Sequence, residues 1–294
     1  MSTPDQFTKE PDFLVITGSR LYGTERRDET GEVVSDLDLR GFVLPPFDYL
    51  AGIRNFREAS LDGDHKVYAL KAFIEYLLKG NAQMLETLFA PESHQRIVTD
   101  LGRRIIDNRD VFLGKQYYKA MTGFSYSEWR KVRGVKLVIE KRKPTEKQVV
   151  DDMLNVFGHL DKPTKDEIIE LLFSEHEKKE IDSRNQVGKK RAKEYDEFGY
   201  GASSASHAIR LLGECLELLE DGKMTFPRPD AKFLRDVKLG KVDFSEVEEA
   251  YASTRAKVDE AYEKSDLPDK PNHNKVWDMY REIVFERIQS EVMP

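Results

Sequence analysis

The sequence predicts a mixed α/β head followed by an all-helical tail, and three observations carry that expectation. Strand-like apolar runs are confined to the N-terminal part of the chain. The longest of them ends at Pro45-Pro46, a pair that cannot continue a ladder. Beyond Pro91 the apolar residues recur at helical spacing. The expected division is a head over residues 1–95 and a helical domain over residues 96–294.

The elements follow in order. Phe13-Leu14-Val15-Ile16 is a short apolar strand that runs into Gly18-Ser19. Residues 33–44 form a second, alternating strand through Val33, Val34, Leu37, Leu39, Phe42, Val43 and Leu44. Between them, Glu25 to Gly31 is a charged turn, with Asp28-Glu29-Thr30-Gly31 as its reversal. Residues 64–70 make a third strand. Phe73, Ile74, Leu77 and Leu78 mark a helix stopped by Gly80-Asn81. A further helix carries Met84, Leu85, Leu88 and Phe89 to Pro91. In the tail, helical stripes run over 145–160, over 203–220 (Ile209, Leu212, Cys215, Leu216, Leu219), over 243–264 (Val247, Tyr251, Val258, Tyr262) and over 273–291 (Val276, Met279, Ile283, Phe285, Ile288). The proline-rich segment 265–272 connects the last two.

Bulk properties narrow the function classes. With 39% hydrophobic residues the chain has the material for a packed core and is not expected to be disordered. A net charge of −7 argues against a broad nucleic-acid-coating surface, though not against a local basic groove. The single cysteine, Cys215, cannot form an internal disulfide and sits on an apolar stripe, which points to core packing. The N-terminus lacks a signal-peptide core, and no apolar run reaches a membrane span of roughly 18 residues, so a soluble, cytoplasmic protein is expected. Lys141-Arg142-Lys143 and Lys189-Lys190-Arg191 read either as solvated faces or as the lining of a groove for a polyanion.

Several site motifs fail on inspection. Gly18 to Gly23 has P-loop spacing, but Thr24 stands where the lysine belongs. Asp36 to Gly41 starts like an EF-hand, but Arg40 fills a ligand position and Phe47 stands at the twelfth. The histidines show no paired ligand spacing, so structural zinc is not expected. What remains is Gly18-Ser19 followed by Ser35-Asp36-Leu37-Asp38-Leu39-Arg40-Gly41. In a strand, residues two apart share a face, so Asp36 and Asp38 project together while Leu37 and Leu39 are buried opposite. Paired carboxylates suit Mg²⁺ held jointly with substrate phosphates. A Gly-Ser turn between a strand and a helix offers backbone N–H groups and a hydroxyl to those phosphates.

This constellation resembles the nucleotidyltransferase superfamily of DNA polymerase β. Ser35 to Phe42 resembles the SDxDLRG run of a subfamily of nucleotidyltransferases associated with RNA repair. Lys79-Gly80-Asn81 with Leu85 to Pro91 resembles its KGNPNxLExLFAP segment. His207 to Leu212 and Phe226-Pro227-Arg228-Pro229 resemble its C-terminal helical signatures. The resemblance implies a polymerase β-like mixed sheet in the head. It also implies Mg²⁺ or Mn²⁺ on Asp36, Asp38 and a third carboxylate, Asp64 with Asp62 as the fallback. Gly18 and Ser19 would hold the triphosphate of an NTP, with Arg40, Ser203, His207 and Arg210 as further nucleotide contacts. Two departures stand out. The charged insertion Glu25–Val34 is long for the family and is read as a hairpin at the rim of the site. Ser203 occupies the place of a family lysine, which leaves Lys190, Lys193 or Arg210 as the substitute cation.

The implied activity moves a nucleoside monophosphate from an NTP to an acceptor hydroxyl and releases pyrophosphate. An RNA end is the first choice of acceptor, with a small molecule or a protein side chain as alternatives. A non-catalytic nucleotide-binding regulatory module is the reading from another class, supported by Ser203 and opposed by the intact Asp36-x-Asp38 pair.

Overall fold

The structure, a computed structural model, describes residues 4–61, 64–140 and 189–292. The helix expected over 145–160, the Lys141–Lys143 cluster and Asp62 lie outside the described residues.

The head elements are α1 (Pro4–Phe7), β1 (Phe13–Thr17), α2 (Gly18–Tyr22), β2 (Asp38–Val43), α3 (Phe47–Leu50), β3 (Glu58–Ser60), β4 (Lys66–Ala69), α4 (Leu70–Leu78), α5 (Ala82–Phe89), β5 (Gln95–Val98) and α6 (Asp100–Asp107). The strands form one mixed sheet in the order β3-β4-β2-β1-β5. β1 pairs antiparallel with both β2 and β5, β2 runs parallel to β4, and β3 returns antiparallel to β4. The remaining helices are α7 (Gln116–Glu140), α8 (Lys189–Phe198), α9 (Ala202–Asp221), α10 (Ala231–Lys238), α11 (Phe244–Lys264) and α12 (His273–Val292). A mixed α/β head and a helical C-terminal region are therefore both present.

The central strands are fixed by burial and by backbone proximity. Phe13 of β1, Phe42 of β2 and Phe73 of α4 are fully buried and pack in a row, with ring centroids 5.5 and 5.0 Å apart. Burying three such rings contributes on the order of several kcal/mol of hydrophobic stabilisation. Gly41, opposite Leu14, is required by the approach of the two strands: a Cβ there would overlap the Phe13 carbonyl oxygen. Asp12 anchors both edges of this core. Its carboxylate accepts from the Leu44 amide (2.7 Å) and from the Thr99 hydroxyl (3.2 Å). Desolvation by burial keeps its pKa above the ordinary carboxylate value despite those bonds.

Two compact units are present. One comprises residues 1–125, 208–235 and 249–294; the other comprises 126–207 and 236–248. These discontinuous units do not follow the 95/96 division expected from the sequence, because later segments of the chain return to the unit that holds the sheet. In the first unit, α12 packs against α3 and α4, and Arg104 of α6 pairs with Glu282 (2.7 Å) and Glu286 (3.0 Å). In the second, Tyr200 donates to the Val242 carbonyl (3.0 Å) and its ring stacks on Phe244 at 5.3 Å.

Four expectations need correction. The second strand begins at Asp38, so 33–37 is loop apart from a single Arg27–Val33 bridge. Leu37 and Leu39 are half-buried rather than buried. β5 and α6 occupy residues that read as continuous tail. Phe285 is 61% exposed because it lies off the Val276–Met279–Ile283 stripe, on which all three residues are buried.

Candidate active site

The site grows from the junction of β1 and α2. Thr17 closes the β1–β2 register opposite Asp38, and the next residue, Gly18, turns the chain into α2 with φ +66°. Only glycine takes that backbone region without penalty. Gly18 is also where the Asp38 carboxylate sits: a Cβ on Gly18 would overlap Asp38 Oδ2. The turn and the second aspartate, twenty residues apart in sequence, are thus brought into contact.

Asp36 is exposed and precedes the strand, so the pair does not share one strand face as expected. It is placed by its neighbours. The Ser35 carbonyl accepts from the Arg20 guanidinium (2.8 Å), and the Ser35 hydroxyl accepts from the Arg26 amide (2.8 Å). The Leu37 carbonyl lies 3.0 Å from His65 Nε2. Asp64 is exposed, in the turn before β4. Burial raises the Asp38 pKa first, and the negative fields of Asp64 and Asp36 raise it further, while Arg40 and His65 pull it down. The three carboxylates therefore share one electrostatic neighbourhood. Among the described residues no trio of His, Cys, Asp or Glu is closed into a ready metal-holding group. The donor set still fits a divalent cation, because it is oxygen-only and its repulsion on Asp38 is the kind a cation relieves.

Arg40 stays with the site, two residues along β2 from Asp38, and its field reaches that carboxylate. Ser203 and His207 belong to the other compact unit. There the Ser203 hydroxyl donates to Glu194 Oε1 (2.5 Å) and its amide to Oε2 (3.0 Å), which caps the start of α9. Arg210 is in the same unit as the sheet but buried, 5% exposed. Its Nη1 donates to Glu86 Oε1 (2.9 Å) and Glu214 Oε1 (2.6 Å), and its guanidinium lies 3.8 Å from the centre of the Tyr22 ring. The expectation that Arg210 substitutes for the missing lysine is not met, because its donors are turned onto two carboxylates in the core. Lys193 is exposed, and nothing is described of the Lys190 side chain. The insertion Glu25–Val34 does fold back on itself. The Asp28 amide bonds the Glu32 carbonyl, and the Val34 amide bonds the Arg26 carbonyl, each at 2.9 Å.

Sequence reasoning missed Tyr22, Glu86 and Glu214. The available signal was a charged residue inside an apolar helix, Met84-Leu85-Glu86-Thr87-Leu88, of which every residue is buried.

The Gly18 geometry gives a prediction. Gly18→Ala adds backbone strain of about 1 kcal/mol and pushes against Asp38, so stability falls by about 1–3 kcal/mol. Gly52→Ala, at φ +75° with open space around it, isolates the strain alone. Urea midpoints of the two variants separate the terms, and equal losses would refute the steric contact.

A strand–glycine turn–helix unit packed against an aspartate at the head of the next strand, in a mixed sheet, is the arrangement that the resemblance to polymerase β-like nucleotidyltransferases implies for the head. Residues 12–147, just under half of the chain, match the model of the RNA repair pathway DNA polymerase beta family. That match supports a polymerase β-like nucleotidyltransferase associated with RNA repair. The chain is also similar to the uncharacterized 38.9 kDa protein of the nrdC-mobD intergenic region of Enterobacteria phage T4. The two are 25% identical over 334 residues, covering 91% of this chain and 95% of that protein. No solved structure matches. Among the described residues no helix is long and apolar enough to cross a membrane.

Proposed function

We propose that this protein transfers a nucleoside monophosphate from an NTP to an acceptor hydroxyl, with a divalent cation, and that the acceptor is an RNA end. The observation that carries the reading is the Asp38 carboxylate seated on the Gly18 turn within the fields of Asp36 and Asp64. The family match supports both the transferase class and the link to RNA.

Each residue then has a task. Gly18 and Ser19 receive the triphosphate through the backbone N–H groups of the turn and the Ser19 hydroxyl. Asp36, Asp38 and Asp64 hold Mg²⁺ or Mn²⁺. Such an ion, when bound, offsets the charge that builds on the phosphoryl oxygens and on the pyrophosphate leaving group. Arg40 sits beside Asp38 and limits the repulsion among the carboxylates. The Arg20–Ser35 and His65–Leu37 bonds fix the loop that carries Asp36.

The test incubates the protein with each α-labelled NTP, Mg²⁺ or Mn²⁺ and total cellular RNA, beside an Asp36→Ala/Asp38→Ala control. Label on RNA with the intact protein alone supports the full reading. Pyrophosphate release without labelled RNA replaces RNA with a small-molecule or protein acceptor. NTP binding with no release favours a regulatory module. RNA binding through phosphates also weakens steeply with salt, which separates it from binding of a neutral acceptor.

A further inference from the structure

We propose that Tyr22, Glu86, Arg210 and Arg235 form a clamp that positions the Gly18–Ser19 turn from behind; the proposal rests on the reading of that turn as the triphosphate site. α2 has five residues, too few to hold its own geometry through internal hydrogen bonds. Its C-terminal end is instead tied to the body of the same compact unit at four points. The Tyr22 hydroxyl donates to Glu86 Oε2 at 2.5 Å. The Tyr22 ring lies against the Arg210 guanidinium, which Glu86 and Glu214 hold in place. The Tyr22 carbonyl accepts from the Arg228 amide at 3.1 Å. The Gly23 carbonyl accepts from Arg235 Nη2 at 2.5 Å, a cation at the negative end of the helix.

The partners come from α5 and from residues 210–235, far from the turn in sequence. Residues 210–235 also lie outside the family-matched stretch. Arg210 thus acts on the turn through Tyr22, and is a positioning residue with no direct nucleotide contact. Tyr22 is four residues from Gly18, close to one helical turn, so anchoring Tyr22 constrains where Gly18 and Ser19 stand. The carboxylates Asp36, Asp38 and Asp64 stand on other segments and meet α2 at two points: Asp38 abuts Gly18, and Arg20 donates to the Ser35 carbonyl beside Asp36.

The test therefore reads nucleotide affinity and metal affinity side by side. Tyr22→Phe keeps the ring under Arg210 and removes one hydrogen bond; Arg235→Met removes the bond to Gly23. Both full-length variants are compared with the parent for NTP affinity, for Mn²⁺ affinity by electron paramagnetic resonance, and for KM and kcat. The expected result is NTP affinity about three- to tenfold weaker and KM raised to match, with the loss of Mn²⁺ affinity smaller than the loss of NTP affinity. Arg235→Met decides alone if Tyr22→Phe does not fold. Unchanged NTP affinity in a folded variant, with normal binding by the parent, overturns the clamp and leaves the transferase reading intact. Absence of NTP binding by the parent itself overturns both.

Discussion

Asp38→Asn is expected to lower nucleotidyl transfer by about a thousandfold or more, in a protein that melts no lower than the parent. The two halves of that expectation come from the same geometry. Asp38 is half-buried against the Gly18 turn, and its neighbours Asp64 and Asp36 carry the same charge. Burial and those two fields hold its pKa above the ordinary value, so its ionised form works against folding. The amide keeps the shape and removes the charge. A group with a raised native pKa binds its proton more tightly folded than unfolded, so its cost to stability appears as pH rises through the carboxylate range. The variant lacks that cost. Transfer assays beside melting curves at neutral pH check both halves, and full turnover in a well-folded Asp38→Asn protein would refute the site assignment. Lost activity together with a markedly lower melting temperature would instead make Asp38 a structural residue.

Much of this site was legible because its signals are local. The run Phe13–Ile16 into Gly18-Ser19 is a strand entering a turn, and that is what forms. The SDLDLRG segment announced the aspartates, and even its glycine has a reason in the contact with the Phe13 carbonyl. The errors fall where tertiary contacts override local pattern. Val33 and Val34 favour a strand on propensity, but Ser35 is claimed by the Arg26 amide and by Arg20, and the ladder starts only at Asp38. β5 is four residues long with Gln95 and Arg96 in it, an edge strand paired only to β1, and carries no alternation strong enough to read. Arg210 was the instructive miss. On a helical wheel it falls beside His207 and invites a role in the cleft, yet its partner Glu86 is 124 residues away. Periodicity identifies the buried face of α9 but does not say that a carboxylate waits there.

That buried cluster sets up the second large effect. Glu86→Ala is expected to destabilise the fold by about 3–5 kcal/mol, because it leaves Arg210 undercompensated and the Tyr22 hydroxyl without its acceptor in a fully buried site. Glu214→Gln is expected to do the opposite at alkaline pH. Two carboxylates face one guanidinium here, and they do not titrate alike. Glu86 suffers desolvation, but Arg210 and the Tyr22 hydroxyl outweigh it, and its carboxyl stays below the ordinary range. Glu214 is pushed up to about 8 by burial, with the Glu86 charge adding to the shift and Arg210 and Arg228 opposing it. Its Oε2 is buried with no hydrogen-bond partner among the described residues, so a second negative charge is supported at Oε1 alone. The native state therefore keeps a proton that the unfolded chain releases near 4.5, and stability drains away as pH rises from that value to about 8, then levels. Glutamine cannot ionise, so Glu214→Gln lacks this decline, and its advantage over the parent grows through the same window. Glu86 contributes in the reverse sense, its stabilisation being lost only as pH falls below the ordinary carboxylate range, so the two effects occupy separate pH intervals. Urea denaturation of the parent, Glu86→Ala and Glu214→Gln at pH 3, 5, 7 and 9 resolves them. A Glu214→Gln protein that is less stable than the parent at pH 9 would show that Arg210 more than offsets the burial of the Glu214 charge, and would overturn the raised pKa.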